Sequence, residues 1–168
     1  HGLKFHDTFG PYAFIIYSIA VSLRDLGMTM APQNAFQTLL GLETLSLRMK
    51  KHVSNSIKIA NWLEKHPKIE KVTYAGLKSS QYFNIAKSIL PKGAGALFTI
   101  SLKDGYEACM KMINKLNLFS HVSNLGDTRS LIIHPASTVH RQLTEEQQKN
   151  AGLAPNVIRL SIGIEDPK

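Results

Sequence analysis

From Pro32 to His66 the sequence runs without an internal proline, and its apolar residues recur at three- and four-residue steps. Leu42, Leu45, Met49, Val53, Ile57, Ala60 and Leu63 are therefore expected to share one face of a helix. Pro67 closes the pattern, because proline lacks the backbone N–H and its ring clashes with the preceding turn. The spacing predicts a helical run over 32–67, much longer than the ordinary globular helix of about three turns. A helix of that length can act as a spine between two bodies, so the rest of the chain must be arranged around it.

On its amino-terminal side lies "HGLKFHDTFGPYAFIIYSIAVSLRDLGMTM", which is aromatic, hydrophobic and punctuated by glycine. A helix is expected to begin after Gly10-Pro11 and to stop at Gly27. The longest apolar run, Ala13 to Leu23, is interrupted by Tyr17, Ser18 and Ser22. It is too short to span a bilayer and reads as a buried segment. The stretch opens with no polar lead-in, and so much apolar surface needs something to pack against.

On the carboxy-terminal side, "IEKVTYAG" alternates like a strand and "SQYFNIAKSIL" reads as a short helix ended by Pro91. "GAGALFTISL" reads as a strand, and "DGYEACMKMINKL" has Tyr106, Met110, Ile113 and Leu116 at helical spacing. Three more extended stretches, "LFSHVSNLG", "SLIIHP" and "VIRLSIG", follow, with the charged helix "TEEQQKNAG" between the last two. The order β-α-β-α-β-β-α-β after the long helix describes an α+β fold, a mixed or antiparallel sheet layered with helices. No strand is followed by a glycine-rich phosphate loop.

Hydrophobic residues make up 43% of the 168 residues and charged residues 19%, the balance of a globular chain rather than a disordered one. The formal charge of +8 raises nucleic acid as a partner. Its lysines are dispersed, however, as at Lys50, Lys51, Lys58, Lys65, Lys68, Lys71 and Lys78, with no basic run interleaved with aromatics. That pattern describes a solvated basic face, so neither a nucleic acid nor a membrane is an expected partner. The single cysteine, Cys109, permits no internal disulfide, which suits a reducing cytoplasm. It lies on the apolar side of its helix with no activating neighbour, and is expected to be buried and inert.

Four places could carry chemistry. His134 and His140 bracket a proline in "HPASTVH", but their spacing does not match a zinc pair and no second soft ligand exists, so no metal is expected. Ser137 lacks the flanking glycines of a nucleophile elbow and reads as a turn residue. "SNLGDTRS" reads as a polar turn in which Asn124 offers both donor and acceptor, and Gly126 allows close approach. The strongest signal is Arg159, embedded among Val157, Ile158, Leu160 and Ile162. A guanidinium in such a strand needs an anion for its fork. From the residues alone, either a structural pair with Glu165 or Asp166 or a ligand carboxylate would serve.

"NAFQTLLGLETLSLRMKKH", "SNLGDTRSLIIHPASTVHRQLTEEQQKNAG" and "VIRLSIGIEDP", in that order and spacing, closely resemble the carboxy-terminal half of the Cys/Met-metabolism family of pyridoxal-phosphate enzymes. "FHDTFGPYAFIIYSIAVSLRDLG" is similar to the O-acetylhomoserine sulfhydrylase branch rather than to the lyases. The resemblance implies the small carboxy-terminal domain of a fold-type I transferase. Residues 1–31 would then end the large cofactor domain, 32–67 would form the interdomain spine, and 68–168 the substrate-side domain.

It further implies that Arg159 binds the substrate α-carboxylate and that Asn124 lines the substrate side of the pocket, where many lyases carry serine. Val139 stands where the family often has threonine before the last histidine of this segment. The implied activity is γ-replacement of acetate in O-acetyl-L-homoserine by sulfide or a thiol, in methionine biosynthesis, by a pyridoxal 5'-phosphate enzyme that is a homotetramer when intact. Cystathionine γ-synthase and methionine γ-lyase of the same family are the nearest alternatives; a non-catalytic assembly module is a third. The family's Schiff-base lysine follows Ser-x-Thr, and no Ser-x-Thr-Lys occurs in these residues. No catalytic residue is therefore assigned here. The apolar start and the family's usual last helix, absent after Lys168, lead us to expect a truncated chain, inactive and unable to hold the cofactor covalently by itself.

Overall fold

In the computed structural model, which describes residues 2–167 apart from the Glu145 side chain, the long helical run is divided at Thr44. Helix α4 (Pro32–Glu43) starts from an extended Ala31 with Pro32 in its first turn. It stops at Thr44, whose φ of −104° and ψ of 2° lie outside helical values. Helix α5 (Leu45–Glu64) then continues to the turn before Pro67. Gly41 and Thr44 are both weak helix formers, so local propensity offers little resistance to the break. The chain divides at the same place into two compact units.

The first unit is helical. Short helices α1 (Phe5–Phe9), α2 (Ala13–Tyr17) and α3 (Arg24–Leu26) are joined by a 3-10 turn at Gly10–Tyr12 and a π-helical turn at Ser18–Leu23. Gly27 ends the run in the left-handed region at φ 64°, where a side chain would be strained. The run between Gly10 and Gly27 is thus helical, as the punctuation predicts. The expected burial of Ala13–Leu23 is not met, because no described residue of this unit is buried and Phe14 is 80% exposed.

The second unit is a four-stranded antiparallel sheet in the order β1-β2-β4-β3, with helices against one face. The strands are β1 (Ile69–Thr73), β2 (Leu97–Leu102), β3 (Leu131–Ile133) and β4 (Val157–Ser161). Helices α6 (Phe83–Ile89), α7 (Gly105–Lys115) and α8 (Glu145–Asn150) occupy the expected connections. Strand alternation sends Phe98, Ile100, Leu102, Ile132, Ile158 and Leu160 into one core with Ala60 and Leu63 of α5 and Cys109 and Ile113 of α7. Burial pushes the Cys109 thiol up to about 11, far from a reactive thiolate.

Two expectations need correction. "LFSHVSNLG" is not a strand: it touches the sheet only through a single parallel bridge between Ser120 and Leu131. Leu118, Val122 and Leu125 stay exposed and only Phe119 of its apolar residues packs against the core, so no continuous buried face organises it. The inward face of α5 also differs from the expected apolar stripe. Leu45, Met49 and Ile57 are exposed, whereas His52, Asn55, Ser56, Ala60 and Leu63 are buried. The middle of the helix therefore buries polar groups, and these have hydrogen bonds to make.

Candidate carboxylate-binding site

Strand β4 is central, and Arg159 sits in register between Thr99 of β2 and Ile133 of β3. Its neighbours Ile158 and Leu160 face the core, so alternation puts Arg159 on the opposite face. The guanidinium is half-buried, and desolvation pulls its pKa below the ordinary arginine value. Nη2 donates to Ser123 Oγ at 3.5 Å, a long contact. Among the described residues no carboxylate pairs with Arg159. Its register partner on the same face of the sheet, Ile133, is buried.

The alternative partner Glu165 is committed elsewhere. Its carboxylate accepts from the Ser130 backbone N–H at 2.5 Å and from the Ser130 hydroxyl at 2.9 Å. The same hydroxyl accepts from Gly163 N–H at 2.9 Å. Opposite, His52 Nδ1 donates to the Ile162 carbonyl at 2.6 Å. The Asn55 amide donates to the carbonyls of Gly163 and Glu165 at 3.1 and 2.7 Å. The chain beyond Arg159 is thus held from α5 on one side and from the start of β3 on the other.

The sequence reading did not single out His52, Asn55, Ser130 or Glu165 as one group. One signal was present: stepping back from Leu63 and Ala60 by threes and fours lands on Ile59, Ser56, Asn55 and His52.

Asn124 follows Ser123 in the exposed loop between Ser120 and Ser130, and its side chain makes no hydrogen bond among the described residues. The structure thus brings this loop to Arg159 through Ser123 and records no contact from Asn124 itself. Farther along the loop, Arg129 is satisfied locally. Its backbone N–H, Nε and Nη2 all donate to the Asp127 carboxylate, at 3.0, 3.3 and 3.2 Å. Those bonds hold the Asp127 carboxyl below its ordinary pKa.

"HPASTVH" is a structural turn. His134 is 1% exposed, and its Nδ1 accepts from both the hydroxyl and the backbone N–H of Ser137, at 2.8 and 3.2 Å. That leaves Nε2 to donate to the Pro155 carbonyl at 2.8 Å. The Ser137 hydroxyl therefore contacts an imidazole, but its own N–H is turned onto the same nitrogen instead of outward as an oxyanion donor. Thr138 bonds the His134 carbonyl at 2.7 Å. Among the described residues no three His, Cys, Asp or Glu side chains gather to hold a metal. No helix of the described residues is long and apolar enough to cross a membrane.

Comparison with known proteins decides the family. The model of the Cys/Met metabolism PLP-dependent enzymes matches residues 12–168. The chain belongs to this family. An O-acetyl-L-homoserine sulfhydrylase of Thermus thermophilus is 45% identical over 165 residues, 98% of this chain and 39% of that protein. A crystal structure from Campylobacter jejuni, named for O-acetylhomoserine (thiol)-lyase and containing pyridoxyl-lysine monophosphate, superposes with a TM-score of 0.85 at 45% identity. It covers 99% of this chain and 39% of its own. A cystathionine γ-synthase of Xanthomonas oryzae superposes at 0.77 and 36% identity over 85% of this chain and 37% of its own. As a family member, the chain spans about two fifths of the length of these relatives.

Proposed function

We propose that the full-length protein carrying this segment is a cytoplasmic, homotetrameric O-acetylhomoserine sulfhydrylase dependent on pyridoxal phosphate. It replaces the acetate of O-acetyl-L-homoserine by sulfide or a thiol, giving homocysteine or methionine. The observation that carries the reading is Arg159: a half-buried guanidinium on the central strand with one long hydrogen bond and no carboxylate partner among the described residues. Its planar fork suits a bidentate contact with the α-carboxylate of an amino-acid substrate. Holding that end fixes the orientation of the Cα–H bond, which is how a group remote from the reacting atoms lowers the barrier. Asn124, in the loop that reaches Arg159, would line the substrate on the same side.

The residues described here fit the substrate end of such a site. They include no Ser-x-Thr-Lys, so covalent attachment of the cofactor is assigned to residues outside this segment. When bound, pyridoxal phosphate supplies the electron sink for chemistry at the substrate carbons. The segment alone is accordingly expected to be inactive, and a borohydride-reducible visible absorbance from it with pyridoxal phosphate would contradict that. Near-complete coverage by sulfhydrylases, against 85% by the cystathionine γ-synthase, favours the sulfhydrylase branch.

The test is Arg159→Lys in the full-length protein, with sulfide, cysteine and methionine supplied in parallel. Losing the fork of a charged hydrogen-bonded pair should lower kcat/KM for O-acetyl-L-homoserine about 10- to 100-fold. An unchanged kcat/KM removes Arg159 from the site. Turnover with cysteine or methionine but not sulfide assigns the protein to the γ-synthase or the γ-lyase instead.

A further inference from the structure

We propose that Glu165 is a positioning residue for Arg159: its carboxylate, locked onto Ser130, sets the register between the strand that carries the guanidinium and the loop that carries Ser123 and Asn124. The proposal rests on Arg159 being the carboxylate-binding residue argued above.

Ser130 is the hub of this arrangement. Its carbonyl accepts from Ser120 N–H at 3.0 Å, and Ser120 in turn accepts from Ile132 N–H at 3.0 Å, which closes the base of the 121–129 loop. Its N–H and hydroxyl both donate to Glu165, and its hydroxyl oxygen also receives Gly163 N–H. One residue away, Ile164 N–H donates to the Thr128 carbonyl at 2.9 Å. The loop is therefore tied twice to the segment four to six residues beyond Arg159, and its other limb meets Arg159 at Ser123. A half-buried guanidinium is free to swing unless its surroundings are fixed, and the Ser123 contact alone is long.

The chemistry favours a carboxylate at 165, since charge-assisted hydrogen bonds are the stronger ones. Two donors from one serine converge on it, and two acceptor oxygens satisfy both. A glutamine keeps an acceptor for the Ser130 N–H and can donate from its NH2 to the Ser130 hydroxyl oxygen, so what it removes is the charge that strengthens both bonds. Gly163 tightens the fit, since a Cβ there would collide with Glu165 Oε2 and the Thr128 carbonyl.

The experiment compares Glu165→Gln, Ser130→Ala, Arg159→Lys and the Glu165→Gln/Arg159→Lys double variant in the full-length protein. Glu165→Gln should raise KM for O-acetyl-L-homoserine about tenfold while kcat moves less than about threefold. Inhibition by 3-aminopropyl acetate, which lacks the carboxylate, should stay within about twofold, whereas general loosening of the fold would weaken both ligands. On the Arg159→Lys background the added effect of Glu165→Gln should fall below about twofold, because the two act as one unit. Should Glu165→Gln fail to fold, Ser130→Ala decides by the same KM and inhibition readouts, since it keeps the glutamate and removes only the hydroxyl. A KM unchanged in the folded variants, or an effect that adds in full to Arg159→Lys, overturns the positioning role alone. An Arg159→Lys variant with unchanged KM overturns the carboxylate-binding reading and this proposal together.

Discussion

Arg129 and Arg159 answer the same electrostatic requirement in opposite ways. Arg129 folds back two residues onto Asp127, and that pair needs nothing from elsewhere. Arg159 has apolar neighbours along its strand and, among the described residues, no carboxylate partner. Gly163 is the residue that lets the strand end so close to Ser130. Its φ is not in the left-handed region, so its requirement is purely one of space. Gly163→Ala should destabilise the second unit by about 1–3 kcal/mol, because the obstructing Thr128 carbonyl is backbone and cannot rotate away. Urea denaturation should show a lower midpoint at unchanged slope; an unchanged midpoint would mean that the Thr128–Ser130 turn yields. Arg159 stood out in the sequence because a lone cation among Val157, Ile158, Leu160 and Ile162 is conspicuous wherever it folds. Glu165 was not, because its role depends on Ser130, thirty-five positions away, and nothing in its own neighbourhood announces that bond.

At the scale of elements, β2 and most of β4 were readable because alternation and burial agree in them, and β3 because its short apolar run is buried throughout. "LFSHVSNLG" misled because β-prone residues form a strand only where a face is buried, and here Leu118, Val122 and Leu125 remain outside while Phe119 alone packs against the core. The α5 face misled for the converse reason. Its apolar residues attracted the helical stripe, while the buried face runs through His52, Asn55 and Ser56 to reach carbonyls some 110 positions away.

Asn55 is the element-scale test, since its amide joins α5 to both Gly163 and Glu165. Asn55→Asp substitutes an acceptor where two carbonyls require donors. It should cost about 3 kcal/mol at neutral pH. The buried carboxyl of that variant will have a folded-state pKa raised above its unfolded value of about 3.9. The folded state then binds more protons between the two pKa values, so the loss relative to the parent should grow as pH rises through that window and level off above it. Denaturation of both proteins from pH 4 to pH 8 checks the sign; a loss that shrinks with rising pH would show that the carboxylate has found a donor.

At the scale of the whole molecule, the two units differ in what can hold them together. The second contains every buried hydrophobic residue described, from Ala60 to Ile162, and a sheet hydrogen-bonded on both sides of β2 and β4. The first contains helices only, with no described residue buried. Helices without a buried face are marginal, because nucleation is costly and packing supplies most of the stability that helices have in proteins. Amide exchange of the 168-residue segment should therefore be strongly uneven. Amides of β2, β4 and the buried half of α5 should exchange by opening of the whole second unit, and those of α1 to α4 by local fraying. We expect protection in 97–102 and 157–161 to exceed that in 32–43 by about 100-fold or more. Mass spectrometry over a range of concentrations supplies the control. Comparable protection that disappears on dilution would assign the apolar face of the first unit to self-association, and comparable protection that persists at every dilution would mean that its helices are stable without the burial they lack here.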